Sequence, residues 1–282
     1  QLATIEDVPG FKVSASRWQT LPASSTRAIN GSWSDATGTL EQVAETVHIY
    51  GGEINVDRLL QLDKTVIEDP LTTQVKMKTA SINAKFLTDF INGDHATDPL
   101  GFEGLRKRVA NAASRQSVDL GTTPGTTTLK ILADSASEHL FIDGLHELLH
   151  VIGANSNPGT CALYMNEKTY LAVGKVLRRV NLLNTAQDQY GRVWTEFAGV
   201  KLVDIGFQYD QSTEIISNTL YGDSVGTEIY GVRWASDAFR VIQLSGSSLA
   251  PYDPIGAGSE MQTKPSVMRR IDWAVGLQNV GK

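Results

Sequence analysis

A single long helix is the feature that most constrains how this chain can fold. Asp69 is suited to cap the N-terminus of this helix, and Pro70 fits the first helical position, where its missing N–H costs nothing. Asn92-Gly93 supplies a stop signal. Apolar residues recur between these marks at mostly helical spacing, at Leu71, Val75, Ala80, Ile82, Ala84, Phe86, Leu87, Phe90 and Ile91. The charged residues between them are Lys76, Lys78, Lys85 and Asp89. The pattern predicts a stiff helix over 70–92 with one apolar side and one polar side.

The chain before this helix predicts a long two-stranded excursion. Residues 1–10 have no hydrophobic period, which indicates an extended N-terminal arm that needs a partner to stay ordered. Polar and apolar residues alternate over 11–21 and again over 45–57, with a Ser-, Thr- and Gly-rich tip between them. Together these two runs predict a long β-hairpin with a flexible end. Two strands of this kind carry too little apolar surface to be stable alone, so the hairpin should lie on another surface.

The rest of the chain mixes helices and strands without a regular repeat. A glycine-punctuated loop passes through Gly93, Gly101 and Gly104 after the long helix. The predicted elements that follow are a helix over 134–152, a strand over 161–165, a helix over 167–180, a buried strand over 199–207, one or two strands over 227–244 and a strand over 267–277. In the helix over 167–180 the residues expected to face inward are Leu171, Val173, Val176 and Leu177. This order predicts an α+β fold.

The composition narrows the possible function classes. With 41% hydrophobic and 20% charged residues, the sequence is that of a folded protein rather than a disordered one. A net charge of −6 argues against a dedicated nucleic-acid reader, which would carry a basic stripe. Three compact basic groups are instead predicted to be solvated or interface residues, Arg106-Lys107-Arg108, Arg178-Arg179 and Arg269-Arg270. No apolar run approaches the length of a membrane span, so we expect no membrane partner.

Cys161 is the only cysteine, so it cannot form an intrachain disulfide. Its neighbours Ala162, Leu163, Tyr164 and Met165 are strand-like, and we expect Cys161 to be a small buried hydrophobic residue. Asn30-Gly31-Ser32 matches a glycosylation sequon. Because nothing else in the sequence requires a secretory or oxidising compartment, we interpret this tripeptide as a turn.

The motif with the strongest chemical signature is His146-Glu147-Leu148-Leu149-His150, which matches H-E-x-x-H. On a helix, two histidines at this spacing can bind zinc and the glutamate can act as a general base. A catalytic zinc site needs three protein ligands and a water. The third histidine of the longer metzincin pattern would fall at Ser156, and Glu167 and Glu196 lack a convincing context as substitutes. The motif is therefore incomplete.

A helical wheel at about 100° per residue separates this helix into two faces. The apolar face consists of Phe141, Leu145, Leu148 and Ile152, flanked by Ile142 and Leu149. The opposite face gathers His139, Asp143, His146, Glu147 and His150. We interpret the second face as the solvent side of an amphipathic helix. Two alternatives stay open: a surface metal site at His146 and His150 without catalysis, and a zinc metallopeptidase in which Glu147 is the base.

Other candidate sites carry less information. Asp94, His95 and Asp98 cluster in one loop, but their spacing matches neither a calcium-binding loop nor a set of zinc ligands. No G-x-S-x-G nucleophile motif is present, and the Gly- and Thr-rich run over 121–128 lacks the Lys of a phosphate-binding loop. We expect no catalytic residue, no cofactor and no metal ligand, and we predict that the chain is not an enzyme.

Three motifs, together with the order of the elements, carry a family resemblance. They are Phe90-Ile91-Asn92-Gly93-Asp94 with Gly101-Phe102-Glu103-Gly104-Leu105, then Ala162-Leu163-Tyr164-Met165-Asn166 with Lys168-Thr169, and Phe197-Ala198-Gly199-Val200-Lys201-Leu202-Val203. They resemble the turn after the spine helix, the strand that opens the axial domain and a later strand of the tailed-bacteriophage major capsid proteins, the Hong Kong 97-type family. The third motif lacks the Pro that the family has before its second Val. The motifs cover about residues 60–210, and the remainder resembles the family only by element order.

The resemblance implies a phage capsid fold with five parts. They are an N-terminal arm over 1–10, an extended β-hairpin loop over 11–62, a peripheral domain with the spine helix over 63–159, an axial domain over 160–250 and a return to the peripheral domain over 251–282. The helix that carries His146 would be the second helix of the peripheral domain, where it has no catalytic duty.

By the same resemblance, the chain is expected to self-assemble into the hexamers and pentamers of an icosahedral shell around a double-stranded DNA phage genome. The implied partners are a scaffold, a maturation protease, a portal and decoration proteins, with non-specific contacts to packaged DNA. Trimming by such a protease would suit a chain that starts at Gln1. The implied location is the virion capsid, assembled in the bacterial host cytoplasm. An encapsulin-like nanocompartment shell is the alternative with the same fold, and the zinc metallopeptidase is the alternative from another class.

Some members of the family cross-link their subunits covalently through a lysine of the hairpin. Lys12 is the only lysine in the predicted hairpin, and it lies near the base rather than the tip. We therefore expect non-covalent assembly.

Overall fold

The structure is a computed structural model that describes residues 5–62, 68–110, 116–120, 131–187, 193–219, 226–253 and 265–280. In chain order its elements are β1 (Ile5–Val8), β2 (Lys12–Thr20), β3 (Thr39–Thr46), β4 (His48–Asp57), α1 (Arg58–Leu62), α2 (Pro70–Asn92), α3 (Leu105–Ala110), α4 (Ser135–Val151), β5 (Cys161–Met165), α5 (Glu167–Arg179), β6 (Asn184–Gln187), β7 (Val193–Phe197), β8 (Val200–Asp204), β9 (Tyr230–Arg233), β10 (Phe239–Leu244) and β11 (Ser266–Asn279). The strands form a four-stranded, a five-stranded and a two-stranded sheet. The predicted α+β fold is confirmed.

The long helix α2 begins and ends where the sequence predicts. The Asp69 carboxylate accepts the backbone N–H of Thr72 at 2.9 Å. At the other end, the N–H of Gly93 donates to the carbonyl of Asp89. The buried apolar residues of α2 are Ile82, Phe90 and Ile91. Local capping therefore sets the ends of the helix, and its apolar side holds it against the body of the chain.

Asp89 departs from the predicted polar side of α2. Its side chain is buried, and its oxygens accept hydrogen bonds from Tyr50 Oη at 2.8 Å and from Lys85 Nζ at 2.8 Å. Such donors replace the water that a buried carboxylate loses. Burial, together with the charge of Asp89, raises the pKa of Tyr50, so that Tyr50 remains a neutral donor. Helical spacing could not reveal this arrangement, because the main donor comes from β4.

The four-stranded sheet has the order β1-β10-β11-β4, and β11 is antiparallel to both of its neighbours. Helix α2 packs against β4 and β11, where the aromatic rings of Tyr50, Phe86 and Trp273 meet. The ring centroids of Phe86 and Trp273 are 5.0 Å apart. This aromatic cluster joins the middle of the long helix to the longest strand of the chain.

The predicted strand over 45–57 is divided in the structure. Its first two residues end β3, which pairs with β2 in an antiparallel hairpin. The rest forms β4, which leaves the hairpin and pairs with β11 along its whole length. Val47 separates the two strands: its side chain is buried, and its N–H donates to the carbonyl of Phe11 at 2.8 Å. The hairpin is shorter than predicted because the long strand β11 is the pairing partner of the second half.

Part of the predicted arm is a strand of the body. β1 pairs in parallel with β10 of its own chain, Val8 is buried, and Glu6 forms an ion pair with Arg240. Residues 1–4 of the predicted arm lie outside the described residues. Four residues are too few to show a hydrophobic period, so this pairing with β10 could not be predicted.

Strand β5 is buried along its whole length and separates two hydrophobic cores. Ala162 and Tyr164 face the core beneath α2, whereas Cys161, Leu163 and Met165 face the core formed with α4 and α5. A strand that is covered on both faces has no need of polar residues, which explains its continuous apolar run. The predicted strand and the predicted burial of Cys161 are confirmed, and burial raises the pKa of the Cys161 thiol.

The five-stranded sheet has the order β6-β7-β8-β5-β9, with β5 and β8 parallel. The helices predicted over 134–152 and 167–180 are present as α4 and α5. Val173, Val176 and Leu177 are buried as predicted, but Leu171, also predicted to face inward, is 54% exposed. The short elements α3, β6 and β7 were not predicted. They span only four to six residues each, which is too short for hydrophobic periodicity to identify them.

Two of the implied domain boundaries divide elements that pack together. Helix α4 falls in the range 63–159 of the spine helix, yet it shares a core with α5 and β5. Strand β10 falls in the range 160–250, yet it pairs with β11 in the four-stranded sheet. The physical units are therefore interleaved along the chain rather than consecutive.

The cap of α2 makes the free energy of unfolding depend on pH in a defined direction. Hydrogen bonds from the Thr72 hydroxyl and the Thr72 backbone hold the pKa of Asp69 below its ordinary value of 3.8. A carboxylate whose pKa is lowered by folding stabilises the folded state at pH values above its unfolded-state pKa. This stabilisation is lost as the pH falls through the folded-state pKa. Asp69→Asn keeps an acceptor for the cap but does not titrate. We expect its urea midpoint to fall less than that of the parent between about pH 5 and about pH 3. An equal fall in both proteins would contradict this.

Candidate assembly surface

The hairpin of β2 and β3, with the segment between these strands, carries several large exposed apolar side chains. No third strand pairs with it there, because β2 and β3 form a sheet of their own. Trp18 is 72% exposed and lies opposite Leu40, which is 69% exposed. The other large exposed apolar residues of this segment are Leu21, Ile29 and Trp33. Exposed apolar residues grouped in this way mark a surface that meets another molecule.

Polar contacts give the hairpin its shape. Arg17 and Glu41 form an ion pair across the strands, with Nε and Oε2 2.8 Å apart. At the tip, the N–H of Gly31 donates to the carbonyl of Ala28 at 3.0 Å, and Asn30 has a φ of 66°. The predicted turn at Asn30-Gly31-Ser32 is therefore present. The hairpin holds its conformation without a core of its own.

The base of the hairpin is tied to the loop after α2. The carbonyl of Leu100 lies 2.8 Å from His48 Nδ1, and a carbonyl can only accept, so Nδ1 carries the proton. His48 Nε2 is then free to accept from the Thr46 hydroxyl at 3.0 Å. Arg108 Nη1 donates to Glu45 at 2.6 Å. These contacts set the direction in which the hairpin leaves the body.

Large exposed apolar residues also lie outside the hairpin. The short helix α1 exposes Leu59, Leu60 and Leu62, all at more than half of their area. Ile49 on β4 and Leu100 in the loop after α2 are also exposed. Ile49 and Leu100 lie beside the hairpin base, whereas α1 follows the far end of the ten-residue strand β4, so its leucines form a separate exposed apolar group.

Two glycines form the turn after α2. The N–H of Gly104 donates to the carbonyl of Gly93 at 2.9 Å. A Cβ on Gly104 would lie 2.5 Å from the Asp89 carbonyl oxygen and 2.6 Å from the Gly93 nitrogen. Only glycine allows two backbone segments to approach this closely. The glycines of the first resemblance motif, Gly93 and Gly104, therefore allow two backbone segments to pack directly against each other.

The predicted cluster of Asp94, His95 and Asp98 does not converge on one point. Asp94 accepts from the backbone of Ala96 and from Lys107, and these two interactions lower its pKa. His95 Nδ1 contacts the carbonyl of Gly101 at 3.1 Å, and Asp98 lies 3.6 Å from Lys85 Nζ. Each side chain has its own partner, and together they brace the loop.

Two asparagines from two different resemblance motifs hold one segment. Asn92 Nδ2 donates to the carbonyl of Ile215 at 2.7 Å, and Asn166 Nδ2 donates to the carbonyl of Ile216 at 3.1 Å. Asn166 is fully buried, and its Oδ1 also accepts the N–H of Thr169 to cap α5. The motifs thus meet at the junction between α2 and the five-stranded sheet, a role that sequence reasoning missed.

The buried tyrosines of this region are structural donors and acceptors. Burial raises the pKa of Tyr164 to about 12, and its hydroxyl accepts from Trp234 Nε1 at 2.9 Å. Burial also raises the pKa of Tyr230, whose hydroxyl meets Glu228 and Arg106. Both groups remain protonated, so they act as fixed hydrogen-bonding groups.

The histidine motif lies on the solvent side of α4, as the helical wheel predicts. The exposed residues of this face are His139, Asp143, His146, Glu147 and His150. Phe141, Ile142, Leu145 and Leu149 are buried on the other face. Within the described part of the chain, no three His, Cys, Asp or Glu side chains are close enough to hold a metal ion. The Gly- and Thr-rich run over 121–128 lies outside the described residues.

The basic groups are mostly paired inside the chain. The pairs are Arg106–Glu228, Lys107–Asp94, Arg108–Glu45, Arg179–Glu138, Arg269–Asp253 and Arg270–Glu53. The prediction of solvated or interface residues is therefore modified: most of these cations stabilise contacts between elements. No helix among the described residues is long and apolar enough to cross a membrane.

No family model matches the chain, and no curated protein matches its sequence. Several solved structures are similar to it in fold. The holo-SrpI encapsulin complex from Synechococcus elongatus is 13% identical, with a TM-score of 0.63 over 99% of this chain and 81% of that one. A structure of Mycobacterium phage Adephagia is 12% identical, with a TM-score of 0.60 over 99% and 82%. The capsid of an empty GTA particle is 15% identical, with a TM-score of 0.56 over 99% and 85%.

These similarities extend over nearly the whole chain, so they include the hairpin, the long helix and both larger sheets. Identities this low concern the fold and not the activity. The resemblance inferred from three short motifs agrees with this comparison of complete folds. The chain therefore has the Hong Kong 97-type capsid fold.

Proposed function

We propose that this protein is a major capsid protein that self-assembles into the icosahedral shell of a double-stranded DNA phage. The observation that carries the proposal is the hairpin, with Trp18 and Leu40 exposed on a two-stranded sheet that no described element covers. A monomer gains nothing from such an excursion, whereas a shell subunit can bury it on a neighbour. The capsid of a GTA particle shares the fold, which supports this assignment.

The contact between subunits follows from the asymmetry of the hairpin. The hairpin of one copy must meet a different surface of the next copy, and head-to-tail contacts form rings when the rotation between copies closes on itself. We assign hexamers and pentamers to these rings. The four-stranded sheet with α2 is proposed as the peripheral unit and the five-stranded sheet as the axial unit. The protein acts as a structural component and not as an enzyme.

The other partners follow from the same assignment. A scaffold, a maturation protease, a portal and decoration proteins would act on the shell during assembly in the bacterial host cytoplasm. Packaged DNA would meet the shell without sequence specificity, in keeping with the net charge of −6 and the internal pairing of most basic groups. The final location is the virion capsid.

Electron microscopy of the purified protein tests the proposal. We expect closed particles tens of nanometres across by negative stain and light scattering, and a single monomer band on SDS gels because Lys12 lies at the hairpin base. Nucleic acid inside particles from infected cells supports a virus, whereas a packaged enzyme without nucleic acid supports the nanocompartment alternative suggested by the encapsulin similarity. A stable monomer of 30.6 kDa under all assembly conditions would overturn the proposal.

The hairpin side chains should control assembly without controlling folding. Trp18→Ser with Leu40→Ser removes two exposed apolar residues, each of which could contribute about 2 kcal/mol to a buried contact. We expect the double variant to stay folded by circular dichroism but to lose closed particles in sedimentation experiments. Leu140→Ser, at a 49% exposed residue of α4, is the matched control and should assemble normally. Normal particles from the double variant would remove the hairpin from the contact.

A further inference from the structure

The H-E-x-x-H motif finds no use in the proposed shell, yet its two histidines are well placed to act together. His146 and His150 lie one turn apart on the exposed face of α4. Residues at this spacing have Cβ atoms about 5–6 Å apart on the same helix face. Two imidazoles so arranged can reach one ion without any change in the backbone.

Neighbouring side chains restrict both rings. The His146 ring packs on the ring of Phe197, with centroids 4.8 Å apart, and Phe197 is itself buried. Asn155 Nδ2 lies 3.3 Å from His150 Nδ1, and because an amide N–H can only donate, Nδ1 accepts this hydrogen bond. A half-turn of the Asn155 amide places its oxygen against Nδ1. His150 then donates Nδ1–H, keeps a lone pair on Nε2 and has the second hydrogen bond that commonly orients a metal-ligating histidine.

We propose that His146 and His150 form a two-histidine chelate for a divalent transition-metal ion on the exposed face of α4. Imidazole nitrogen suits Zn²⁺, Ni²⁺ and Cu²⁺, whereas Mg²⁺ and Ca²⁺ prefer oxygen ligands. Water completes the coordination, because no third His, Cys, Asp or Glu of the described residues converges with this pair. The site is therefore a binding site and not a hydrolytic centre, which would need three protein ligands. It does not depend on the assembly function.

Isothermal titration calorimetry of the full chain with NiCl₂ tests the site. We expect one Ni²⁺ per chain at the tightest step, and His146→Ala or His150→Ala should each weaken that step by about tenfold or more, because one imidazole loses the benefit of its partner. With Cu²⁺, electron paramagnetic resonance should show two nitrogen ligands in the parent and one in either variant.

The chain supplies its own controls. His139→Ala changes an exposed histidine of the same helix that has no histidine one turn away, and it should leave the affinity unchanged. His95→Ala changes an exposed histidine in the loop after α2, beside His48, and should also leave the affinity unchanged. All four substitutions lie at exposed residues, and circular dichroism checks that each variant is folded. Unchanged affinity in His146→Ala with His150→Ala, or an equal loss in His139→Ala, would overturn the proposal.

Discussion

Gly104→Ala is expected to destabilise the protein by about 3 kcal/mol or more. The added Cβ would lie 2.5 Å from the carbonyl oxygen of Asp89, 2.6 Å from the nitrogen of Gly93 and 2.8 Å from the carbonyl carbon of Ile91. All three contacts are backbone atoms, so no side chain can rotate away. The turn would have to open, and opening it breaks the Gly104-to-Gly93 hydrogen bond and disturbs the end of α2. Urea unfolding of the unassembled chain, followed by circular dichroism, measures the loss.

Gly174→Ala is the matched control for this substitution. Gly174 lies inside α5, and a Cβ there meets nothing within 4 Å. Alanine is favoured over glycine inside a helix by about 0.5–1 kcal/mol, so this variant should be slightly more stable than the parent. The two glycine-to-alanine changes are thus expected to have opposite signs. A loss at Gly104 no greater than the change at Gly174 would show that the turn is not tightly packed.

Asn166→Ala is expected to cost about 3 kcal/mol. Its Nδ2 lies within hydrogen-bonding distance of the Ile216 carbonyl, Asn218 Oδ1 and Thr227 Oγ1, at 2.6–3.1 Å. An amide nitrogen has two hydrogens, so it satisfies two of these acceptors at a time. Truncation leaves buried acceptors without a donor and also removes the cap of α5 on the N–H of Thr169. The free energy of unfolding, measured by urea denaturation, should fall accordingly.

Two further substitutions separate the cap from the buried network. Asp134→Ala removes only an exposed cap, that of α4, and should cost clearly less than Asn166→Ala. Asn166→Asp keeps the cap acceptor but places a carboxylate against the Ile216 carbonyl, so it should still destabilise the chain. Equal losses in Asn166→Ala and Asp134→Ala would mean that the network contributes nothing beyond capping.

Elements set by local signals were predictable from the sequence. The cap at Asp69 and the stop at Gly93 act within one helical turn, so both ends of α2 were predicted correctly. Strand β5 and helix α4 also carry continuous local patterns. By contrast, the local pattern assigns β4 to the hairpin, because β11, the strand that pairs with it, lies more than two hundred residues later. Pairing partners that are distant in sequence leave no trace in a local pattern.

The residues of the candidate site can likewise be separated into those that local sequence predicts and those that depend on tertiary contacts. The hairpin could be predicted to need a partner, since two strands cannot form a core, but its exposed Trp18 and Leu40 gain meaning only when the neighbouring elements are known. Asn92 and Asn166 were noticed as parts of motifs, yet their shared target at residues 215–216 is a tertiary contact. Asp89 was misplaced for the same reason, because its donor Tyr50 belongs to another element.

Val47, the single residue between β3 and β4, is the joint between the hairpin and the body. Val47 is buried and bonded to Phe11, so it stays fixed, while β2 extends from this point through nine residues. At about 3.3 Å per residue the far end of this lever lies about 30 Å away, and a turn of about 10° at the joint moves it by about 5 Å. In the shell proposed above, the contacts of Val47, His48 and Arg108 hold the base of this lever. Because a small rotation at the base is amplified at the tip, identical folded bodies can reach neighbours at positions of unequal curvature.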